Sequence, residues 1–175
     1  MRKILVVVDM QNDFIDGALG TGEAVAVVPR VVEKMKGYDP WNVYLTRDTH
    51  YENYLETQEG RRLPVEHCVR DTRGWQLRAE IAAAAEGATI IDKPTFGSVE
   101  LASRLMAERA REALEIELVG LCTDICVVSN ALLLKAAMPE APITVDASCC
   151  AGVTPEKHRA ALETLRSCQI DVIND

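Results

Sequence analysis

The sequence predicts an α/β fold: one domain over residues 1–175, a three-layer αβα sandwich in which helices cover both faces of a six-stranded, mainly parallel sheet. Three observations predict it. Short β-branched runs alternate with segments of helical spacing along the whole chain, and such alternation builds parallel sheets covered on both sides. The first run, Ile4-Leu5-Val6-Val7-Val8, has no polar break, as expected of a strand buried on both faces. A chain of 175 residues buries a substantial core without splitting, and no repeat, low-complexity tract or linker interrupts it.

The elements follow in order. After the first strand, residues 24–36 place Val27, Val28, Val31, Val32 and Met35 on one helical stripe. Val43-Tyr44-Leu45 is a second short strand. A polar stretch from Arg47 to about Arg73 is longer than an ordinary connection, and such loops commonly carry function. An Ala-rich helix (about 75–86), a strand at Thr89-Ile90-Ile91 and a helix from Ser98 to about Glu112 come next. Glu117-Leu118-Val119 is a strand, 124–137 a helix and Ile143-Thr144-Val145 a strand. Thr154 opens a last helix, with Pro155 at its first position and Glu156 behind it, running to about Ser167. Ile170-Asp171-Val172-Ile173 closes the sheet.

Composition excludes several functions. With 48% apolar and 26% charged residues the chain is an ordinary globular one. Nineteen basic against 27 acidic residues give a net charge of −8, which repels polyanions and argues against nucleic acid as a partner. No apolar run is long enough to span a bilayer. A strand that begins within three residues of Met1 leaves no room for a signal peptide, so the expected location is the cytoplasm. The six cysteines, at 68, 122, 126, 149, 150 and 168, form no C-x-x-C; neither a zinc ribbon nor a thioredoxin-type pair is encoded. No glycine-rich phosphate loop follows a strand, against a nucleotide-binding domain.

Ligands of parallel α/β sheets bind beyond the carboxyl ends of the strands, and those ends are reactive. Asp9 ends the first strand, Asp48 follows the second, Lys93 the third, and Asp146 ends the fifth. The fourth leads through Gly120-Leu121-Cys122-Thr123-Asp124 to Cys126. Thiols attack as thiolates, which a cation or a helix N-terminus favours. Cys126 is expected in the first turn of a helix capped by Thr123 or Asp124, with Lys93 as the cation. Asp9 is placed to accept the thiol proton and return it to a leaving amine, and free N–H groups at the helix start to bind an oxyanion. A non-catalytic thiol redox or ligand sensor using Cys122, Cys126 or the Cys149-Cys150 pair is the rival of another class.

Asp48, His50 and His67 lie in the long polar stretch, with Glu59 between the histidines. Three protein ligands with open positions describe a catalytic metal. Solvated side chains on a loop have the same composition, and the residues alone leave both readings open.

Four segments carry a resemblance: Val8-Asp9-Met10-Gln11-Asn12-Asp13-Phe14, Thr46-Arg47-Asp48-Thr49-His50, Asp92-Lys93-Pro94, and Gly120-Leu121-Cys122-Thr123-Asp124-Ile125-Cys126-Val127. On them the chain resembles the isochorismatase-like cysteine hydrolase superfamily over nearly its whole length. The resemblance implies that superfamily's hydrolase fold, a catalytic triad of Asp9, Lys93 and Cys126, and a cis peptide between Leu121 and Cys122. That peptide would turn the Cys122 N–H, beside that of Cys126, toward the oxyanion. Nicotinamidases, one branch, bind zinc through Asp-x-His and a second His; Asp48, His50 and His67 match, and Glu59 is the nearest match to a Glu that some members add. This implies Zn2+, or another divalent ion such as Fe2+ or Mn2+, holding the ring of a small amide, with Phe14, Phe96 and Trp75 as walls. The implied reaction is nicotinamide to nicotinate and ammonia by a homo-oligomer. A metal-independent hydrolase of the same superfamily, acting on a carbamoyl compound or another amide, is the alternative. Two departures, Thr49 in place of an aromatic and the short Pro94–Ser98 segment, imply a reshaped pocket.

Overall fold

In the computed structural model, which describes residues 1–175, six strands form one sheet. They are β1 (Arg2–Val8), β2 (Val43–Asp48), β3 (Thr89–Lys93), β4 (Leu114–Leu121), β5 (Ile143–Ala151) and β6 (Asp171–Ile173). Their order is β3-β2-β1-β4-β5-β6, and every neighbouring pair is parallel. The chain winds outward from β1 in both directions. The carboxyl ends of β1 and β4 therefore flank the point where the winding reverses, where open α/β sheets leave a crevice.

Side-chain alternation divides β1 between two cores. Ile4, Val6 and Val8 face one; Leu5 and Val7 face the other. The first core is covered by α5 (Val99–Arg109), α6 (Val128–Ala137) and α7 (Pro155–Ser167), through Leu101, Leu105, Ala131, Leu134, Leu162 and Leu165. The second lies under α2 (Gly22–Lys36) and α4 (Ala79–Ala84), through Val27, Val31, Met35 and Ile81. No helix is long and apolar enough to cross a membrane.

The differences from sequence expectation are local. A four-residue helical turn, α1 (Asn12–Ile15), follows β1. The polar stretch after β2 is ordered by a 3-10 turn at Tyr54–Glu56 and by α3 (Gln58–Arg62), capped by Thr57, whose Oγ1 accepts from Gly60 N at 3.0 Å. Helix α4 spans Ala79–Ala84 rather than 75–86, because the residues before it pair with the exit of β1: Leu77 bridges Gln11 and Arg78 N donates to Met10 O. Helix α5 stops at Arg109 and β4 starts early, at Leu114.

Gly120 fixes the approach of β4 to β1. Its φ is +115°, and a Cβ there would lie 2.2 Å from Val8 O; only glycine fits that backbone and that gap.

Under the second core sits a knot of charges. Lys34 Nζ contacts Glu117 Oε1 at 2.6 Å and Asp146 Oδ2 at 2.7 Å. Tyr38 Oη donates to Glu117 Oε2 at 2.6 Å, and Asp146 accepts from Ser148 and Asn174. Burial alone would raise the Asp146 carboxyl, but Lys34, Ser148 and Asn174 hold it below the usual carboxylate range. A depressed carboxyl stabilises above its unfolded value and loses that contribution as pH falls through the folded one. Asp146→Asn is expected to cost about 1–3 kcal/mol at neutral pH. In urea titrations the gap to wild type should close below about pH 4; a gap that persists there would remove the charge from the account.

Candidate active site

Four strand ends bring their side chains to one spot. Lys93, the last residue of β3, is 1% exposed and carries its ammonium into the crevice. Its Nζ lies 2.7 Å from Asp9 Oδ2, 3.4 Å from Asp48 Oδ1 and 3.4 Å from Cys126 Sγ, and donates to Thr95 O at 3.0 Å. A buried ammonium is tolerated only when it is paired and hydrogen-bonded; here two carboxylates, a carbonyl and a sulfur surround it. Asp9, fully buried, has a left-handed backbone (φ 47°), uncommon outside glycine. Its N–H meets Thr46 O at 3.2 Å, and its Oδ1 accepts from Thr46 Oγ1 at 2.6 Å. The expected trio of Asp9, Lys93 and Cys126 is thus assembled around one ammonium.

The thiol itself departs from expectation. Neither Thr123 nor Asp124 caps the helix. Thr123 Oγ1 instead pairs with His158 Nδ1 at 2.8 Å, and Asp124 Oδ1 accepts from Val153 N at 2.9 Å. The chain enters α6 through a π turn, Thr123–Val127, in which Val127 N reaches back to Cys122 O at 3.1 Å. Burial, and then the Asp9 carboxylate, push the Cys126 thiol well above its ordinary pKa, against the pull of Lys93. Burial thus works against the thiolate expected at a helix N-terminus, and Lys93 works for it. Burial is also the main reason that Asp9 is raised, with Lys93 opposing and Asp48 adding to it. A weak acid faces a strengthened base.

The peptide between Leu121 and Cys122 is cis, as the resemblance implied, and the Cys122 N–H makes no hydrogen bond within the protein.

On the other side of Asp48 lie the residues suited to a metal. One ligand atom from each of Asp48, His50, Glu59 and His67 falls within 4.8 Å of all the others. His50 Nε2 is 2.8 Å from Asp48 Oδ2 and 3.7 Å from Glu59 Oε1; His67 Nε2 is 3.5 Å and 3.8 Å from the same two atoms. Ligands at ~2.0–2.2 Å from a tetrahedral ion stand roughly 3–4 Å apart. His50 Nε2 is buried and has no partner but the carboxylates of the cluster, and His67 Nδ1 lies 2.8 Å from Val65 O, the contact that fixes the tautomer in metal-ligating histidines. The set fits a divalent ion. Burial opposes ionisation of Asp48, yet His50, His67 and Lys93 hold its carboxyl far below the usual range. Burial and the charge of Asp48 raise Glu59.

Between the two halves opens a cavity of about 450 Å³ lined by Phe14, Phe96, His67, Glu59, Cys122 and Cys126 among others. Phe14 packs edge-on to His67, ring centroids 5.5 Å apart. Trp75, expected as a third wall, does not line it. Its ring is buried, stacked under Arg47 at 3.8 Å, and its Nε1 donates to Thr49 Oγ1 at 2.9 Å. Thr49, a departure from the family pattern, is therefore the anchor of that indole.

Two residues of the site had no sequence argument behind them. Tyr54 is fully buried against both imidazoles, 4.7 Å from His50 and 5.0 Å from His67, and its hydroxyl donates to Leu63 O at 2.9 Å. The only signal was an aromatic four residues beyond His50. Gln11 clamps Asp48: its Oε1 accepts from Asp48 N at 2.7 Å, and its Nε2 donates to Asp48 O and Trp75 O, both at 2.8 Å. Leaving such buried groups unpaired costs about 1–3 kcal/mol each. Gln11→Leu is expected to lose about 2–4 kcal/mol in urea unfolding; a change under about 0.5 kcal/mol would show the clamp to be idle.

The Isochorismatase domain family profile matches residues 3–174. An uncharacterised isochorismatase family protein of Bacillus subtilis, PncA, is 27% identical over 143 residues, 75% of this chain and 78% of that one. The crystal structure of a pyrazinamidase of Pyrococcus horikoshii in complex with zinc is 28% identical with a TM-score of 0.78, covering 99% of each chain. A pyrazinamidase/nicotinamidase of Streptococcus mutans is 26% identical with a TM-score of 0.83, covering 98% of this chain and 100% of that one. With its fold, its strand-end residues and nearly its full length accounted for, the chain belongs to the isochorismatase family.

Proposed function

We propose that this protein is a metal-dependent amidase that uses Cys126 to hydrolyse a small carboxamide, nicotinamide to nicotinate and ammonia. One observation carries the reading: the Lys93 ammonium lies within 3.4 Å of Asp9, Asp48 and Cys126, and the far oxygen of Asp48 belongs to the four-residue metal cluster. The zinc-bound Pyrococcus horikoshii pyrazinamidase, 28% identical, supports the metal half of it.

The chemistry follows from the arrangement. Asp9 takes the thiol proton as Cys126 Sγ attacks the carboxamide carbon, so no isolated charge is created in a dry site. Lys93, beside both, stabilises whichever of the two is negative. The free Cys122 N–H meets the oxygen of the tetrahedral intermediate. Asp9 then returns its proton to the departing nitrogen, ammonia leaves and a thioester remains on Cys126. A water molecule, deprotonated by Asp9, attacks the thioester; the acid departs and the thiol recovers its proton. Asp48, His50, His67 and Glu59 would hold the divalent ion, which when bound supplies a Lewis-acid contact that fixes the orientation of the substrate ring. Phe14 and Phe96 flank that ring.

Cys126→Ala is expected to lower kcat for nicotinamide by about 10⁴-fold or more, and Asp9→Asn or Lys93→Met by roughly 10²–10⁴-fold, read as ammonia release. Full turnover by Cys126→Ala would refute the mechanism. Removing metal with a chelator should abolish ammonia release and lower the melting temperature, with both restored by Zn2+, Fe2+ or Mn2+. An ion held at a hundred times its Kd contributes about 2.7 kcal/mol. Protein purified without chelator that holds no divalent metal, yet hydrolyses the amide, would favour a metal-independent member of the family.

A further inference from the structure

The cavity lining carries polar side chains beyond the triad and the metal-suited cluster. At about 450 Å³ it falls in the ~300–1,000 Å³ range of pockets that hold drug-sized ligands, roomy for a single-ring amide. Its apolar walls include Phe14, Leu19, Phe96 and Ile125, but α3 contributes Gln58 and Arg62 to the lining. These two stand four apart, on one face of the helix. Arg61 beside them donates to Glu56 O; Arg62, exposed like Gln58, pairs with no acid and donates to no acceptor of the protein. Of the carboxylates lining the cavity, Asp48 lies within 3.5 Å of Lys93 and both imidazoles, and neither it nor Glu59 pairs with Arg62. The guanidinium is therefore free to meet a charge brought by a ligand.

We propose that Gln58 and Arg62 form a carboxylate subsite at the cavity mouth, so that the preferred substrate is a small carboxamide carrying a carboxylate on the side away from the reacting carbonyl. This rests on the amidase reading above for the reacting end, and on the cavity lining for the other. A guanidinium receives a carboxylate through two parallel N–H bonds, and the Gln58 amide adds a donor. An aromatic or aliphatic body of modest length would lie along the apolar walls between Cys126 and α3.

The test compares kcat/KM for nicotinamide with that for nicotinamide bearing a carboxylate on its other meta carbon. Wild type should favour the carboxylated amide about tenfold or more, the effect of one charge-assisted contact. Arg62→Ala should cut that preference at least about tenfold, chiefly through KM, and Arg62→Lys should retain part of it. Calorimetric binding of pyridine dicarboxylate to Cys126→Ala, with and without Arg62→Ala, reads the subsite without turnover. Affinity that depends on Arg62 while neither amide is hydrolysed would sink the amidase reading and leave the subsite standing. A selectivity and an affinity that both move less than about twofold on Arg62→Ala would overturn the proposal.

Discussion

One buried ammonium organises the crevice. Taking Lys93 out of water costs several kcal/mol unless its partners are in place, so its position between Asp9 and Asp48 is a condition of folding as much as of reactivity. The same condition ties three strands together, because Asp9, Asp48 and Lys93 come from the ends of β1, β2 and β3. Asp48 extends the coupling. One of its oxygens faces the ammonium and the other faces both imidazoles, so the thiol half and the metal half share a carboxylate. Gln11 holds that carboxylate's backbone from both sides.

Burial governs how reactivity is arranged. Cys126, 5% exposed, has little water near it, and Lys93 is the cation within reach of its sulfur. Burial raises the thiol and Asp9 together, so a proton passing between them moves between groups shifted in the same direction. Proton transfer then changes where the charge sits rather than how much there is.

The layers and parallel strands of the fold were legible because they rest on periodicity. Unbroken runs such as Ile4–Val8 and stripes such as Val27, Val31 and Met35 report burial directly. Asp9, Lys93 and Cys126 were legible as residue types at strand ends, whereas Asp48, His50 and His67 stood out as metal ligands only through the family resemblance. What escaped has no period to read. The four-residue α1 and the five-residue α3 are set by local caps and tertiary contacts, and a π turn needs an i→i+5 bond that no pattern announces. Trp75 was misread as a wall because an aromatic near a site is equally suited to stacking under Arg47. Tyr54 and Gln11 act through contacts made only once distant segments meet.

Gly120 has a consequence for how such a protein can change. Because β4 rests against Val8 O with no side chain between them, the sulfur-bearing turn is registered on β1 by main chain alone. The reacting atoms keep their spacing whatever happens to side chains farther out. The segments that shape the entrance, α3 and residues 94–98, hang from β2 and β3 and touch the machinery at few points: Glu59, Thr95 O against Lys93, and Phe96 and Ser98 against Asn130. Their remaining positions form an interchangeable faceplate over a fixed chassis, and new substrates can be admitted by rebuilding those positions while the machinery behind them stays in tune.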